Sequence, residues 1–450
     1  MGHHSEFSHL LSPGRIGTLE TRNRIFMSPM GTNLGEGDGY MGERKMRYLE
    51  TRAQGGAGLV TFGVGEIDFP NGAAIPRQIG ISKDDFLPGL KDLAERIHRH
   101  GAKAAVQLQH AGKNAVLDIA AGRPLMVPSE PSEAIGGMAD VTAEEMQAMV
   151  KNLTAEGAKI HYNVMTNEDI AWLIDRFADA ADRSNRAGFD AIEIHAGHGY
   201  VLSSFLSPAS NKRTDQYGGS VENRSRILVE VMQAVKQRVG NDFPVWFRID
   251  AREFHIENGI TLEDACKTAR IAEEAGAVAI HVSAYANPAL GHALTEAPLV
   301  HEAARYLPFA EQIKRAVKIP IIGVGRIEPE VGDRAIRDGK VDFIAMGRKL
   351  LADPELPNKL TAGKQEDIRP CIYCYTCVGK IFLNETACCA ANPAMGKEDE
   401  FEIVSASKAK TILIVGGGPA GMEAVSYTHL RAHETGRHIS YAVFCLKKGG

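Results

Sequence analysis

The chain has 450 residues, with 51 Lys and Arg against 56 Asp and Glu and a formal charge of −5. That length allows one large domain plus a smaller one, or two to three ordinary domains, and buries a core without disulfide staples. No Lys/Arg block marks a nucleic-acid surface, no apolar run approaches the roughly 18 residues of a membrane span, and the start, MGHHSEFSHLLSPGRIG, lacks the order of a signal peptide. The expectation is a cytoplasmic protein with a small-molecule partner, no nucleic acid and no membrane, its assembly open to a homo-oligomer.

Residues 23–30, NRIFMSPM, predict a strand running into Pro29, Met30 and Gly31, where the backbone turns. Gly42 to Gln54 predicts a helix with a charged face, and GGAGLVTFGV (55–64) a second strand. Leu90, Leu93 and Ile97 stand at helical spacing within Leu87 to His100, and KAAVQLQHAG (103–112) predicts a third strand. From about Gly112 to Asn167 runs a long irregular excursion around RPLMVPSEPSEAIGG, with a short helical signal in TAEEMQAM. Long insertions in a repeating α/β chain are usually functional loops. A helix from Asn167 to Ala187 leads into Ala191, Ile192 and Ile194, an apolar strand that opens into glycines and polar side chains, with His195, His198 and Tyr200 within six residues. ENRSRILVEVMQAVKQRVG predicts its helix, PVWFRID (244–250) the next strand, ITLEDACKTARIAEEAG a helix, and VAIHVSAY (278–285) the sixth strand. PFAEQIKRAV, PIIGVGR, a helix over Pro329 to Asp338 and DFIAMGR complete eight strands with helical segments between them.

This alternation predicts an α/β fold, a closed (β/α)8 TIM barrel whose site lies at the C-terminal ends of the strands. An open doubly wound sheet is the competing architecture, but it would more often show a phosphate loop after its first strand, and none is present. The strand ends present Met30, Gly63, Gln107, His195 with His198, Arg248, Gly325 with Arg326, and Gly347 with Arg348. Gly-Arg after strands seven and eight is where barrels commonly bind phosphate, since glycine admits backbone N–H groups and arginine supplies a bidentate cation; a surface salt bridge is the plainer reading. Arg248 ends a strand inside the barrel, where an unpaired guanidinium is costly, so it faces an electron-rich ligand or a carboxylate neighbour. Two imidazoles and a phenol at 195–200 can bind and protonate an oxygen, or can be satisfied barrel packing.

Of seven cysteines, five fall between Cys371 and Cys389, leaving Cys266 and Cys445 outside. Clustering in a large chain without a signal argues for a metal site over disulfides. Cys371, Cys374 and Cys377, followed by Cys388 and Cys389, have the tight triple spacing of a 4Fe–4S site, which needs four thiolates; zinc sites more often pair two CxxC units farther apart. The fourth ligand is a choice between the two adjacent cysteines. KTILIVGGGPAG (410–421) predicts a strand running into Gly416, Gly418 and Gly421, the turn that seats a dinucleotide pyrophosphate on a helix N-terminus. Only 29 residues follow Gly421, and no second strand with an acidic end appears among them.

Together, PxGRIGTLETRNRIFMSPMG, GGAGLVTFGV, AVQLQHAGK, EIHAGHGYVLSSFLSPASNKRTDQYGGSVENRSR, GVGRI and AMGRKLLADP resemble the old yellow enzymes, a family of NADH:flavin oxidoreductases. The resemblance is to their iron–sulfur branch, with 2,4-dienoyl-CoA reductase and trimethylamine dehydrogenase, and is nearest to the dienoyl-reductase-like flavoproteins associated with mycofactocin systems. It implies FMN in the barrel mouth, with Pro29, Met30 and Gly31 lining the isoalloxazine, Gly63 also on the cofactor, Gln107 on the pyrimidine edge and Arg248 near N1. Gly325, Arg326, Gly347 and Arg348 would hold the phosphate. The activity implied is reduction of the C=C bond of an α,β-unsaturated carbonyl or enoyl thioester, with hydride from flavin N5. His195 and His198 match the pair that binds the carbonyl oxygen, and Tyr200 matches the proton donor, a suitable one because a phenol titrates only near about 10.

Dienoyl-CoA reductases use a second acid, a histidine after strand six, which neither Tyr285 nor His292 clearly matches. The resemblance makes Cys389, just before AANPAMG, the fourth ligand beside Cys371, Cys374 and Cys377. In full-length members NAD(P)H feeds a C-terminal FAD, then the cluster, then FMN. The implied organisation is an FMN barrel over 1–360, an iron–sulfur segment over 361–400 and the truncated start of an FAD/NAD-binding Rossmann domain over 408–424, which would not hold FAD. Residues 425–450 depart from the family and read as a non-native or disordered tail. The alternatives are an amine dehydrogenase of the trimethylamine dehydrogenase type and a non-catalytic flavin or electron carrier.

Overall fold

In a computed structural model that describes residues 7–131, 160–286, 302–401, 413–418 and 421–422, the first strands lie outside the barrel. β1 (Gly14–Ile16) and β2 (Leu19–Thr21) form an antiparallel hairpin. Its two inward side chains, Ile16 and Leu19, join Phe26, Trp246, Ile322 and Phe343 in a buried cluster that also takes the first residues of the barrel strands at Leu59 and Ala191. The hairpin therefore plugs the barrel at the strands' N-terminal ends. Two apolar positions are too few to announce it in sequence. The Phe343 ring stacks on Phe26 at 4.6 Å, with the Arg24 guanidinium 5.5 Å above it. Phe343→Ala should lower stability by about 3–5 kcal/mol, read from the urea midpoint, through the cavity it leaves. An unshifted midpoint would mean that this plug carries no part of the core.

The barrel strands are β3 (Ile25–Met27), β4 (Leu59–Glu66), β6 (Lys103–Gln109), β9 (Ala191–Ala196), β10 (Val245–Phe254), β11 (Ile280–Ala286), β12 (Ile321–Gly323) and β13 (Phe343–Met346). Each pairs in parallel with its neighbour, and β3 closes the ring on β4 through Phe26↔Leu59 and Met27↔Val60. This is the predicted (β/α)8 TIM barrel. Because parallel strands are covered on both faces, their residues are almost continuously buried, as in β9 and β6. A short β5 (Ile79–Gly80) adds to the end of β4, and β7 (Leu125–Val127) pairs in parallel with β8 (Tyr162–Val164). These last two bracket the excursion, whose helical signal TAEEMQAM lies outside the described residues.

The outer helices start where capping side chains are available. Thr166 and Asp169 form a capping box at the helix Asn167–Arg186, Thr261 and Asp264 do so at Leu262–Glu274, and the Ser220 hydroxyl accepts from Asn223 N–H at Val221–Val239. β10 runs past the predicted end at Asp250 to Phe254, with its register against β11 shifting between Asp250 and Glu253. No described helix is long and apolar enough to cross a membrane.

The chain up to Asp399 is one compact unit, so the cysteine segment belongs with the barrel. Ala387 N–H donates to the Thr32 carbonyl at 2.9 Å, Asn33 to the Glu385 carbonyl at 3.0 Å, and Asn392 to the Leu351 carbonyl at 2.8 Å. Arg52, fully buried, pairs with Glu398. A second unit spans Glu400–Gly450. Within it, Leu413 and Val415 are exposed, and residues 413–418, which include Gly416 and Gly418, form no strand; Gly421 is the first of two described helical residues. The predicted strand at 410–421 is thus not seen over its described part, 413–418.

Candidate active site at the barrel mouth

A cavity of about 470 Å³ opens where the barrel strands end. Pro29, Met30 and Gly31 line it after β3, Gln107 from β6, His195, His198 and Tyr200 from β9 and its loop, and Arg248 from β10. Gly325 and Arg326 after β12, and Gly347 and Arg348 after β13, complete the wall. Gly63 does not line it: that position packs behind the turn, where a Cβ would stand 2.4 Å from Met30 N, and Val64 faces the cavity instead. The Gly63 carbonyl accepts from Lys45 Nζ at 3.1 Å, and burial lowers that lysine to about 7. Lys45 had no sequence signal, since it sits on a helix face that reads as charged and solvated.

Below the cavity one carboxylate gathers four strands. Parallel register sets Gln107 and Trp246 level with Glu193, and Arg248 level with His281 and His195. Gln107 Nε2 donates to Glu193 Oε1 at 2.7 Å, while Trp246 Nε1 and His281 Nδ1 each reach Oε2 at 2.8 Å. Burial alone would raise the Glu193 carboxyl, but His281, Arg248 and the Trp246 N–H outweigh it and hold it at about 2. An ionised carboxylate only accepts, which fixes the Gln107 amide with its nitrogen toward Glu193 and its carbonyl as its other hydrogen-bonding end. Because the carboxylate only accepts, His281 Nδ1–H is the donor, and burial lowers this ring. Arg248 donates to Ser28 Oγ at 3.5 Å and Ser283 Oγ at 3.4 Å. Of the two environments expected for Arg248, the structure thus supplies the carboxylate neighbour while leaving the residue on the cavity wall.

The loop after β9 is held in an uncommon shape. His198 has φ 63° and Gly199 φ 68°, both left-handed. His198 N–H donates to Asp250 Oδ2 at 2.5 Å, which offsets the strain of a non-glycine residue there. At Gly199 a Cβ would stand 3.0 Å from the Tyr285 hydroxyl, so only glycine lets the loop approach β11. The rings then converge: His195 lies edge-on to His198 at 4.7 Å and to Tyr200 at 5.0 Å. Burial, reinforced by Arg248, pushes both imidazoles well below their usual range, so both are neutral at pH 7. His195 Nδ1 accepts from Gly197 N–H at 3.3 Å, which puts its proton on Nε2, and His198 Nε2 hydrogen-bonds with Ser283 Oγ at 2.7 Å.

Asp250, Ser283, Tyr285 and Gln109 were not singled out as site residues from sequence. Burial raises Asp250 to about 8, with Glu253 adding to it, so the 3.7 Å approach of His198 Nε2 to Asp250 Oδ1 is not an ion pair at neutral pH. The folded acid is protonated where the unfolded one has ionised. Stability is therefore full below the unfolded value of 3.8 and falls as pH rises toward about 8. Asp250→Asn should remove that slope, on the order of a few kcal/mol between pH 4 and about 8, in urea midpoints taken across the range. A variant that kept the parent's slope would show that another group causes it. Tyr285 lines the cavity beside Gly199, and His292 lies outside the described residues.

The residues fit a flavin. Gln109 lines the cavity, 1% exposed, and neither amide atom has a partner within the protein, an orphan pair that a planar donor–acceptor edge would satisfy. A Cβ at Gly347 would stand 2.8 Å from Met30 Sδ, so the glycine keeps the space between β13 and the Pro29–Gly31 turn open. The six described cysteines are free. Burial raises Cys371 and Cys377, the latter to about 11, and Cys389 adds to both; Cys388 instead neighbours Lys380. At Cys374 hydrogen bonds, first from Thr376, outweigh burial and lower the thiol, which is exposed. The donor chemistry suits an iron–sulfur group. Among the described residues, however, no three or more His, Cys, Asp or Glu are gathered to hold a metal ion.

Known proteins resemble this chain in sequence and fold. An NADH oxidase of Thermoanaerobacter brockii is 39% identical over 434 residues, covering 96% of this chain and 63% of that protein. A cinnamate reductase of Clostridium sporogenes is 34% identical over 452 residues, covering 95% and 64%. Among solved structures, a 2-naphthoyl-CoA reductase in complex with 2-naphthoyl-CoA superposes with a TM-score of 0.83 at 29% identity, covering 94% of this chain and 63% of that one. The chain thus spans a little under two thirds of these relatives. The family model described as NADH:flavin oxidoreductase / NADH oxidase matches residues 9–367, most of the barrel unit, and the chain belongs to that old-yellow-enzyme-like family of flavin oxidoreductases.

Proposed function

We propose that the chain carries the FMN-dependent, ene-reducing part of an NAD(P)H-linked enzyme acting on enoates, enones or enoyl thioesters. The observation that carries this reading is the convergence of His195, His198 and Tyr200 on the wall of the mouth cavity, two neutral imidazoles beside one phenol. A flavin bound there and reduced with electrons that originate in NAD(P)H would supply hydride to an alkene β-carbon. The protein's own groups do the rest. His195, with its proton on Nε2, and His198 bind the carbonyl oxygen on which negative charge grows, a stabilisation that neutral donors in a dry site supply without reorganisation. Tyr200 gives its proton to the α-carbon. Arg248 would offset negative charge on the flavin's ring system, and Gln107 and Gln109 would offer it amide edges. Gly325, Arg326, Gly347 and Arg348 take the phosphate, and Pro29, Met30 and Gly31 bound the ring.

We further propose that Cys371, Cys374, Cys377 and Cys389 hold a 4Fe–4S cluster within a segment over 361–400, and that 408–424 begins a dinucleotide-binding domain. The reductions named for the cinnamate and 2-naphthoyl-CoA relatives support the substrate class. The test is a visible spectrum with flavin, iron and sulfide analysis of the purified chain, followed by anaerobic mixing of the reduced protein with enoates, enones and enoyl thioesters. Reoxidation by these compounds is expected. Protein that holds FMN, ignores every alkene and is instead reduced by amines would replace this reading with amine oxidation, and flavin without iron would remove the cluster.

A further inference from the structure

Within Cys371-Ile-Tyr-Cys374 the tyrosine lines the cavity between the two Gly-Arg pairs. The Tyr373 ring takes the Arg326 guanidinium carbon at 4.6 Å, that of Arg348 at 5.1 Å and Lys349 Nζ at 5.5 Å, all within the range of a cation–π contact. Its hydroxyl donates to Glu328 Oε1 at 3.1 Å, and Glu328 also pairs with Lys349. Tyr373 and Arg326 both have φ 52°, a left-handed conformation that non-glycine residues adopt only when the surroundings hold them there.

Three cations crowd this corner and repel one another. A second carboxylate could hold them together but would cancel the charge they offer. An aromatic face attracts cations without adding a negative charge of its own.

We propose that Tyr373 is a positioning residue for the phosphate of FMN: its ring gathers Arg326, Arg348 and Lys349, so that the cysteine loop itself builds one wall of the flavin-phosphate site. This rests on the flavin reading given above. The fold of the loop and the retention of flavin are then linked through one side chain.

The test compares two ligands that differ only in the phosphate. Flavin-fluorescence titrations of the full chain, stripped of flavin, give Kd for FMN and for riboflavin in the parent, in Tyr373→Leu and in Tyr373→Phe. Tyr373→Leu should lower the FMN-to-riboflavin affinity ratio about tenfold, and Tyr373→Phe, which keeps the ring, should leave it within about threefold. Equal weakening of both ligands, or no change in the ratio, overturns the proposal, because a packing role does not distinguish them. Should Tyr373→Leu not fold, a pentafluorophenylalanine at 373 keeps the ring's shape and removes its negative face; the same fall in the ratio is expected, and an unchanged ratio overturns the proposal. A parent chain that binds neither flavin overturns the flavin reading and this proposal together, whereas a ratio unmoved by the variants overturns this proposal alone.

Discussion

Tyr200→Phe should slow alkene reduction by about 10² to 10⁴-fold while FMN binding and the rate of flavin reduction stay at parental values. The substitution is clean because the ring has a packing role of its own, against the small buried cluster of Ala111, Ala115 and Leu125, and phenylalanine keeps that contact. Tyr200 also precedes the short helix Val201–Leu206 as its N-cap through the backbone, which the change leaves alone. Only the hydroxyl is lost. The measurement is stopped-flow reoxidation of the reduced protein by an enoate, with a solvent isotope effect that should be present in the parent. A parental rate in Tyr200→Phe would remove this residue as proton donor and turn attention to Tyr285, whose phenol burial raises further, with Glu253, Asp250 and Tyr200 adding to it. Tyr285→Phe in the same assay separates the two.

Glu193→Gln should cost about 3–5 kcal/mol of folding free energy, because the carboxylate is the buried counter-charge to Arg248 as well as the acceptor for Gln107, Trp246 and His281. The amide keeps the shape but loses the charge, and its NH₂ faces N–H donors. The pH dependence has a definite sign. A carboxyl held at about 2 when folded and near 4.5 when unfolded contributes stability that is present above pH 4.5 and lost as pH falls through 2. That contribution is on the order of 3 kcal/mol, from about 1.4 kcal/mol for each pH unit between the folded and unfolded values. Urea midpoints between pH 6 and pH 2 should therefore fall more steeply for the parent than for the variant. Parallel curves would show that Glu193 titrates normally.

Much of this was legible before any coordinates. The strand–helix alternation carries the barrel because parallel strands need apolar runs and crossover helices need their own period, and both survive in the sequence. The Gly-Arg pairs and HAGHGY stand out as polar residues placed where apolar runs stop. The interior polar residues left a fainter mark. Gln107, Glu193, Arg248 and His281 are polar residues set among apolar neighbours in their strands, and the level pairs Gln107 with Glu193 and Arg248 with His281 are the trace of the Glu193 hub in the sequence. At the end of β4 the sequence does not distinguish the cavity-facing Val64 from Gly63, which packs behind the turn. Contacts across long separations, such as Lys45 with Gly63 or Tyr373 with Arg326, have no local pattern at all. Around Gly416 the glycine motif is legible, but its described residues, 413–418, form no strand.

The pairing of Arg52 with Glu398 has an evolutionary consequence. A guanidinium sealed into the first barrel helix takes its counter-charge from a residue 346 positions later, beyond the last thiol of the cysteine segment. Barrel and cysteine segment are therefore a single unit of exchange. A recombination event that swapped one without the other would strand a charge in the interior.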